Sequence, residues 1–402
     1  MDQRIRVLYI DCSVGFGGAV KSLALTLRGL PLVEKFILTS QDPEIARAWF
    51  SGLRVASFRR LVNYRNRDRI NAAIKHRGLR WLALKGYGAV DRAETLKNSL
   101  RLLLMIRRYR IDIIHLNNGF IPREAMKVAR MTGVPCIVHL RGFPGKGTSE
   151  SLTRSVTHVI AVSNAVGASV RENGIHVPAV TTIHDPVDVE LTTQAADSRE
   201  RVRRQCGLAP REIAIGIFGR VIPWKGQLEF VEAMIIAIRG NESLRAVIVG
   251  DESDGDRRYF DAIRTRIRDA RMEEAFILTG YRRNVEEYYA AVDIVVHASI
   301  TPEPFGMVVP EAMAAGRPII AADAGGPREV IEHGIDGLLF PPGDVDALSS
   351  AISTLAADPD LRARMATAGV VKAAARFGIT SNARQVAAVY EAVLHSERFS
   401  TE

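Results

Sequence analysis

Short runs rich in β-branched residues recur along the chain, and longer stretches with helical spacing separate them. In the first half the runs fall at 6–13 (RVLYIDCS), 35–40 (KFILTS), 54–58 (RVASF), 112–118 (DIIHLNN), 136–142 (CIVHLRG) and 158–164 (HVIAVSN). A second set follows at 212–219, 244–251, 276–280, 293–299, 318–325 and 337–343. Several are apolar at successive positions rather than alternate ones, as in parallel strands covered on both faces. Between 93 and 110, Leu96, Leu100, Leu103 and Leu104 stand at helical spacing and predict an amphipathic helix with those leucines as its apolar face. A last helix is predicted from about Ser381 to His395, carrying Val386, Ala387, Tyr390 and Val393. Strand and helix in alternation predict α/β folding with doubly wound parallel sheets.

The stretch from about Asp188 to Arg211 is polar and has few apolar anchors, so a domain boundary is placed there. The expected division is a first Rossmann-like domain over 1–187 and a second over 188–380. At 402 residues, with about 100–200 residues per domain, two domains each have room for a core.

Composition narrows the class. No run of about 18 uncharged apolar residues is present, which argues against a membrane-spanning helix. The amino-terminal run is too short to read as a secretory leader and reads as a buried strand. Cys12, Cys136 and Cys206 are odd in number and far apart. They suggest neither a disulfide framework nor a metal cluster, and fit a reducing, cytoplasmic setting.

Three segments carry candidate chemistry. In 303–326 (EPFGMVVPEAMAAGRPIIAADAGG), Glu303 and Glu311 are eight positions apart around Phe305, Gly306 and Met307. Pro310 suits a first helical turn, where its missing N–H has no partner to lose, so a helix is expected to begin near it. Such an end attracts phosphate, and nearby carboxylates accept from sugar hydroxyls. The plainer reading leaves Glu311 complementing a helix dipole and Glu303 as a loop acid. In 217–234 a strand ends at Gly219, Arg220 and Lys225 follow, and a helix begins near Gly226. Two cations beside a helix end can hold a diphosphate without a metal and stabilise the charge that grows on it as a glycosidic bond breaks. Either residue alone would read as an exposed loop cation. In 11–27, Gly15, Gly17 and Gly18 join the first strand to the first helix, a turn that lets backbone approach a phosphate or sugar.

Together these segments resemble the family-4 retaining glycosyltransferases, glycosyl transferases group 1, with the GT-B architecture of two Rossmann-like domains facing across a cleft. The paired-glutamate motif matches Glu303 and Glu311. The GR…KG motif matches Gly219, Arg220, Lys225 and Gly226, and the glycine turn matches Gly17 and Gly18. Two strand ends match at His115 and His139. The resemblance implies that Arg220 and Lys225 contact a donor diphosphate and that Glu311 binds the ribose. It places Glu303 on the transferred sugar, helped by backbone N–H groups near Phe305, Gly306 and Met307. Gly17 and Gly18 would lie against the donor, and His139 near the sugar and acceptor. Arg141 departs from the commoner pattern and is open between an anionic acceptor and a surface acid. The resemblance also implies a C-terminal helix, within 381–402, that completes the first domain. It implies retention of configuration, a nucleotide-sugar donor, and a glycan or lipid-linked acceptor of polysaccharide or lipopolysaccharide biosynthesis. No cofactor and no metal are expected. Asp254-Gly-Asp256 and Asp344-Val-Asp346 have the form of cation ligands, but Asp344 is read as a helix cap and Asp254 as a loop residue.

Charge adds a partner. Residues 54–110 hold sixteen Lys or Arg against three acids, a net +13, so the remainder carries −4 of the overall +9. Trp81, Leu82, Leu84 and Tyr87 are interleaved, which points to peripheral docking on an anionic membrane, on its inner face. A solvated basic face or an anionic soluble acceptor is the plainer account. The charge also raises a nucleic-acid-binding protein, but no RNA or DNA motif accompanies it and no nucleic acid is expected as partner. A nucleotide-sugar epimerase of the same architecture is the other alternative, less favoured by the paired glutamates and GR…KG.

Overall fold

The computed structural model describes residues 4–12, 17–40, 47, 50, 54–57, 77–145, 153–251 and 257–399. The chain forms two compact units: Met1–Val162 with Val166–Ile183 and Ala383–Glu402, and Ser163–Ala165 with His184–Asn382.

The first unit is built on seven parallel strands: β1 (Ile5–Asp11), β2 (Val33–Thr39), β3 (Arg54–Ser57), β4 (Ile113–Leu116), β5 (Cys136–Leu140), β6 (His158–Ala161) and β7 (Val180–Thr182). They lie in the order β3-β2-β1-β4-β5-β6-β7. Every residue of β4 and β5 is buried, which is why both read as apolar runs interrupted only by one histidine each, His115 and His139. Leu8 of β1 sits between Phe36 of β2 and Ile114 of β4. Strand addition reverses direction between β1 and β4, so the carboxyl ends of these two strands flank the switch point where ligands settle in such sheets. The final helix, Ile379–Phe399, packs Val386, Tyr390 and Val393 into the core with Tyr9, Ile113 and Ile137.

Two expectations are corrected here. The edge strand β7 has three partly exposed residues and no apolar run, so hydrophobic patterning does not reveal it. The helix expected over 93–110 starts far earlier, at Arg77, and ends at Tyr109, and its leucine stripe does not face the core. Leu96, Leu100 and Leu104 face outward, while Glu94, Asn98, Leu102 and Ile106 are buried. Asn98 Nδ2 donates to Glu124 Oε1 at 3.2 Å, on the helix Arg123–Thr132. A hydrogen-bonded polar pair thus occupies the inner face, and a helical period fixes the spacing of a stripe without fixing which side is inward.

The second unit has six parallel strands: β8 (Ile213–Phe218), β9 (Leu244–Val249), β10 (Phe276–Gly280), β11 (Ile294–His297), β12 (Ile319–Ala322) and β13 (Leu338–Phe340). Their order is β10-β9-β8-β11-β12-β13, with the switch point between β8 and β11. Ile215, Ile217, Ile248 and Val296 form one core with Phe230 and Ile263 from covering helices. Asp344 caps the helix Val345–Ala357 by accepting the Ala347 N–H at 2.9 Å. Asp254 and Asp256 lie outside the described residues, as does Gly15. Among the described residues no helix is long and apolar enough to cross a membrane.

Candidate active site

In the second unit the site assembles at the carboxyl ends of β8 and β11. After β8 the chain turns through Gly219, at φ +131, to the exposed Arg220. A Cβ on Gly250 would lie 1.8 Å from the Gly219 carbonyl oxygen, so the two turns touch backbone to backbone. Gln227, buried, donates from Nε2 to the Arg220 carbonyl at 2.9 Å and pins that turn. Among the described residues nothing pairs with the Arg220 guanidinium. A short turn, Pro223–Lys225, then delivers Lys225 to the amino end of the helix Gln227–Gly240. Gly226 makes the junction possible. Its φ is +72, and a Cβ there would lie 1.9 Å from the Ala298 carbonyl oxygen.

Lys225 Nζ donates to Glu303 Oε1 at 2.5 Å, joining two motifs 78 residues apart in sequence. The other oxygen, Oε2, accepts from His297 Nε2 at 2.5 Å and from Ser299 Oγ at 2.9 Å. His297 ends β11, and Ser299 follows two residues later. Burial pushes the Glu303 carboxyl up, but the charges and hydrogen bonds of His297 and Lys225 outweigh it and hold the group below the usual carboxylate range. Each carboxylate oxygen accepts about two hydrogen bonds. Oε2 is therefore filled, and Oε1 keeps one acceptor direction. The Glu303 backbone is fixed as well: its carbonyl accepts from Gly326 N–H at 2.8 Å. A Cβ on Gly325 would lie 2.2 Å from that same oxygen, and one on Gly326 would lie 2.4 Å from Phe305 Cα.

Phe305 is buried and Gly306 takes φ +81. The next helix is Val308–Ala314, which begins two residues before Pro310, with Met307 as its cap. Pro310 is still in the first turn, where an N–H has no intrahelical acceptor, so the earlier start costs no hydrogen bond. Glu311 Oε2 accepts from the Tyr289 hydroxyl at 2.9 Å, and the Tyr289 ring stacks on Phe218, the last residue of β8, at 4.0 Å. Burial first, then the Glu311 carboxylate, raise the Tyr289 hydroxyl well above its ordinary pKa and keep it a donor.

In the first unit the equivalent strand ends carry a different chemistry. Asp11 ends β1, and Asn117 follows β4. Asn117 Nδ2 donates to Asp11 Oδ1 at 3.0 Å, and Asn117 Oδ1 accepts from Arg141 Nε at 3.0 Å. Arg141 Nη2 reaches His139 Nδ1 at 3.4 Å. A guanidinium only donates, so the Nδ1 lone pair faces it and the ring proton sits on Nε2. That Nε2 is buried and has no hydrogen-bond partner among the described residues. His115 Nδ1 meets the Tyr390 hydroxyl at 2.7 Å, and Tyr390 donates to the Tyr9 hydroxyl at 3.1 Å. Burial, then Arg141, lower His139 well below its ordinary value and His115 to about 3. Both rings are neutral at pH 7. The Arg141 side chain thus contacts an asparagine and a histidine. Gly17 caps the helix Gly18–Arg28 with φ −131, and nothing lies within 4 Å of a Cβ built there. Neither backbone strain nor crowding among the described residues calls for glycine at 17.

Residues 198–370 match the family glycosyl transferases group 1, and residues 54–191 match glycosyltransferase family 4. The chain belongs to these glycosyltransferases. The transferase is 28% identical over 250 residues to the lipopolysaccharide core biosynthesis mannosyltransferase LpsB of Rhizobium meliloti, a match spanning 62% of this chain and 69% of that relative. It is 26% identical over 278 residues to the Escherichia coli UDP-Gal:alpha-D-GlcNAc-diphosphoundecaprenol alpha-1,3-galactosyltransferase, spanning 64% of this chain and 69% of the relative. In fold it is similar to Anabaena HepE, crystallised with UDP and glucose, at TM-score 0.77 and 24% identity over 96% of this chain and 99% of that one. Membership carries the activity class, glycosyl transfer, and the epimerase and nucleic-acid readings lapse with it.

Sequence reasoning about the transferase missed His297, Ser299, Tyr289 and Gln227, all polar groups bonded to motif residues. It quoted Gly325 and Gly326 without a role. The signal for the two glycines was their place directly after β12. The four polar residues carried none, because each acts through a partner distant in sequence or bonded in three dimensions.

Proposed function

We propose that this transferase moves a sugar, with retention of anomeric configuration and without a metal, from a nucleotide-diphosphate sugar to a glycan or lipid-linked acceptor in cell-envelope polysaccharide or lipopolysaccharide synthesis. The observation that carries this reading is the Lys225–Glu303 pair at 2.5 Å, which joins the candidate phosphate-binding turn to the candidate sugar-reading acid. Lys225 has three donors and gives one to Glu303. The remaining two, with the unpaired Arg220 guanidinium and the amino end of the helix Gln227–Gly240, supply positive charge for a diphosphate. Glu303 stays ionised and offers its remaining Oε1 acceptor direction to a sugar hydroxyl. The backbone from Phe305 to Met307 lies beside it, and Glu311, oriented by Tyr289, accepts from the ribose hydroxyls.

The reaction we assign breaks the bond between the anomeric carbon and the donor phosphate oxygen while the acceptor oxygen bonds to the same face of the sugar. The acceptor proton passes to a donor phosphate oxygen, and the nucleoside diphosphate leaves. Arg220 and Lys225 stabilise the growing diphosphate charge. His139, neutral and protonated on Nε2, donates a hydrogen bond to a sugar or acceptor hydroxyl. The open space over Gly17 supports approach of the donor along Gly17 and Gly18. Incubation with UDP-, GDP- and ADP-sugars and candidate acceptors, with product anomers assigned by NMR and a chelator in parallel, tests the assignment. Retained configuration and chelator-resistant turnover are expected. An inverted product, or activity lost to chelator and restored by a divalent ion, contradicts it.

The second part of the proposal concerns place. The net +13 of residues 54–110 supports work in the cytoplasm at an anionic membrane surface, where lipid-linked acceptors reside. The E. coli relative, named for a diphosphoundecaprenol acceptor, is in keeping with it. Vesicle sedimentation with neutral and anionic lipid tests this part. Preference for anionic vesicles is expected, and equal binding to both contradicts it.

A further inference from the structure

We propose that the outward face of the helix Arg77–Tyr109 is the surface that docks this transferase on anionic lipid, an inference that rests on the membrane reading above and gives it an address. Leu96, Leu100 and Leu104 are 72%, 56% and 58% exposed. At about 100° per residue, positions four apart are offset by roughly 40°, so the three leucines form one stripe along the helix. Lys97, Arg101 and Arg108 are all exposed and fall on one flank of it. Leu100, Leu104 and Met105 line a shallow depression of about 340 Å³ rimmed by these cations.

The helix has two acids, and neither shares this face. Glu94 is buried, and Asp91, nine residues from Leu100, stands about half a turn away. The opposite face is already committed, through Asn98 to Glu124. Glu94 Oε1 reaches Lys97 Nζ at 3.8 Å from the buried side, and among the described residues of this helix no exposed acid stands beside the leucines and cations of the outward face. A helix with leucines beside a row of Lys and Arg fits the boundary between acyl chains and anionic headgroups, where the apolar stripe sinks and the cations meet phosphate. A second copy of the chain is a poor occupant. The helix carries eight Lys or Arg against Asp91 and Glu94, and a two-fold interface would set that charge against itself.

The test uses the full chain and sedimentation with vesicles of phosphatidylcholine alone or mixed with phosphatidylglycerol. Two variants are compared with wild type: L96Q/L100Q/L104Q and K97A/R101A/R108A. All six positions are exposed, and thermal melts check that both variants fold. We expect wild type to prefer the mixed vesicles and each triple variant to partition about tenfold or more weakly. Transfer to a water-soluble acceptor should be unchanged. If wild type binds and both variants bind equally well, the helix is the wrong surface while the membrane reading stands. If wild type binds no vesicle, both fall. A wild-type dimer that the leucine variant converts to monomer overturns the proposal in favour of a second copy.

Discussion

The switch points of the two sheets occupy the same topological position and hold opposite chemistry. In the second unit, Lys225, Glu303 and His297 form a connected hydrogen-bonded cluster around an ionised carboxylate, on loops that touch backbone to backbone at Gly226, Gly325 and Gly326. In the first unit, His139 and His115 are buried and neutral, held by Arg141 and Tyr390, and the glycine at 17 sits in open space. The contrast separates two tasks. A group that leaves as an anion needs fixed positive charge, whereas hydroxyl groups that must be oriented need neutral donors of defined direction.

The largest expected effect falls on the ionic side. Lys225→Ala should lower kcat/KM by about 10²–10³-fold, the cost of removing one preorganised donor from developing charge. It also leaves Glu303 with His297 and Ser299 alone. Steady-state kinetics with a defined donor reads this, and an unchanged rate would remove Lys225 from the chemistry. Next comes Gly226→Ala. The added Cβ meets the Ala298 carbonyl oxygen at 1.9 Å in a left-handed conformation, so a loss of about 3 kcal/mol or more is expected in denaturant melts.

Acid separates the units in another way. His115 has a folded pKa of about 3 and an ordinary one near 6.5, so between those values the unfolded chain binds the extra proton. Stability from this group is complete above about pH 6.5 and falls as pH drops, by about 2 kcal/mol at pH 5. His139 has the same sign. Glu303, depressed when folded, adds a loss only below the ordinary carboxylate range. Melting temperatures between pH 7 and 5 should therefore fall in wild type and fall less in His115→Phe. Equal slopes would contradict the neutral-histidine account.

Arg141→Leu is expected to release the His139 tautomer, visible in imidazole ¹⁵N shifts, and to slow turnover by about tenfold. The smallest effect on stability belongs to Gly17→Ala. A Cβ fits there, so folding should change by less than about 0.5 kcal/mol while donor KM rises. A KM left unchanged would take the donor away from that turn.

Much of this arrangement was legible in one dimension because it is written in local spacing. Parallel strands buried on both faces announce themselves as apolar runs, and Gly219 to Gly226 and Glu303 to Glu311 are each contiguous. What stayed hidden depends on the third dimension. That Lys225 reaches Glu303 requires β8 to lie beside β11. That His297 and Ser299 face the same carboxylate depends on a turn after β11 that no periodicity describes. The leucines at 96, 100 and 104 show their helical spacing in the sequence, but spacing does not say which side turns inward. The Asn98–Glu124 bond that turns them outward joins residues on two different helices.

On the proposed mechanism Arg220 and Lys225 grip the donor diphosphate without a metal. Titration calorimetry of UDP and GDP binding to wild type, Arg220→Ala and Lys225→Ala, each with and without a chelator, tests it most directly. Wild-type affinity should be indifferent to chelator and should weaken with each substitution. Binding that survives both substitutions, or that vanishes with the chelator and returns with a divalent ion, would contradict it.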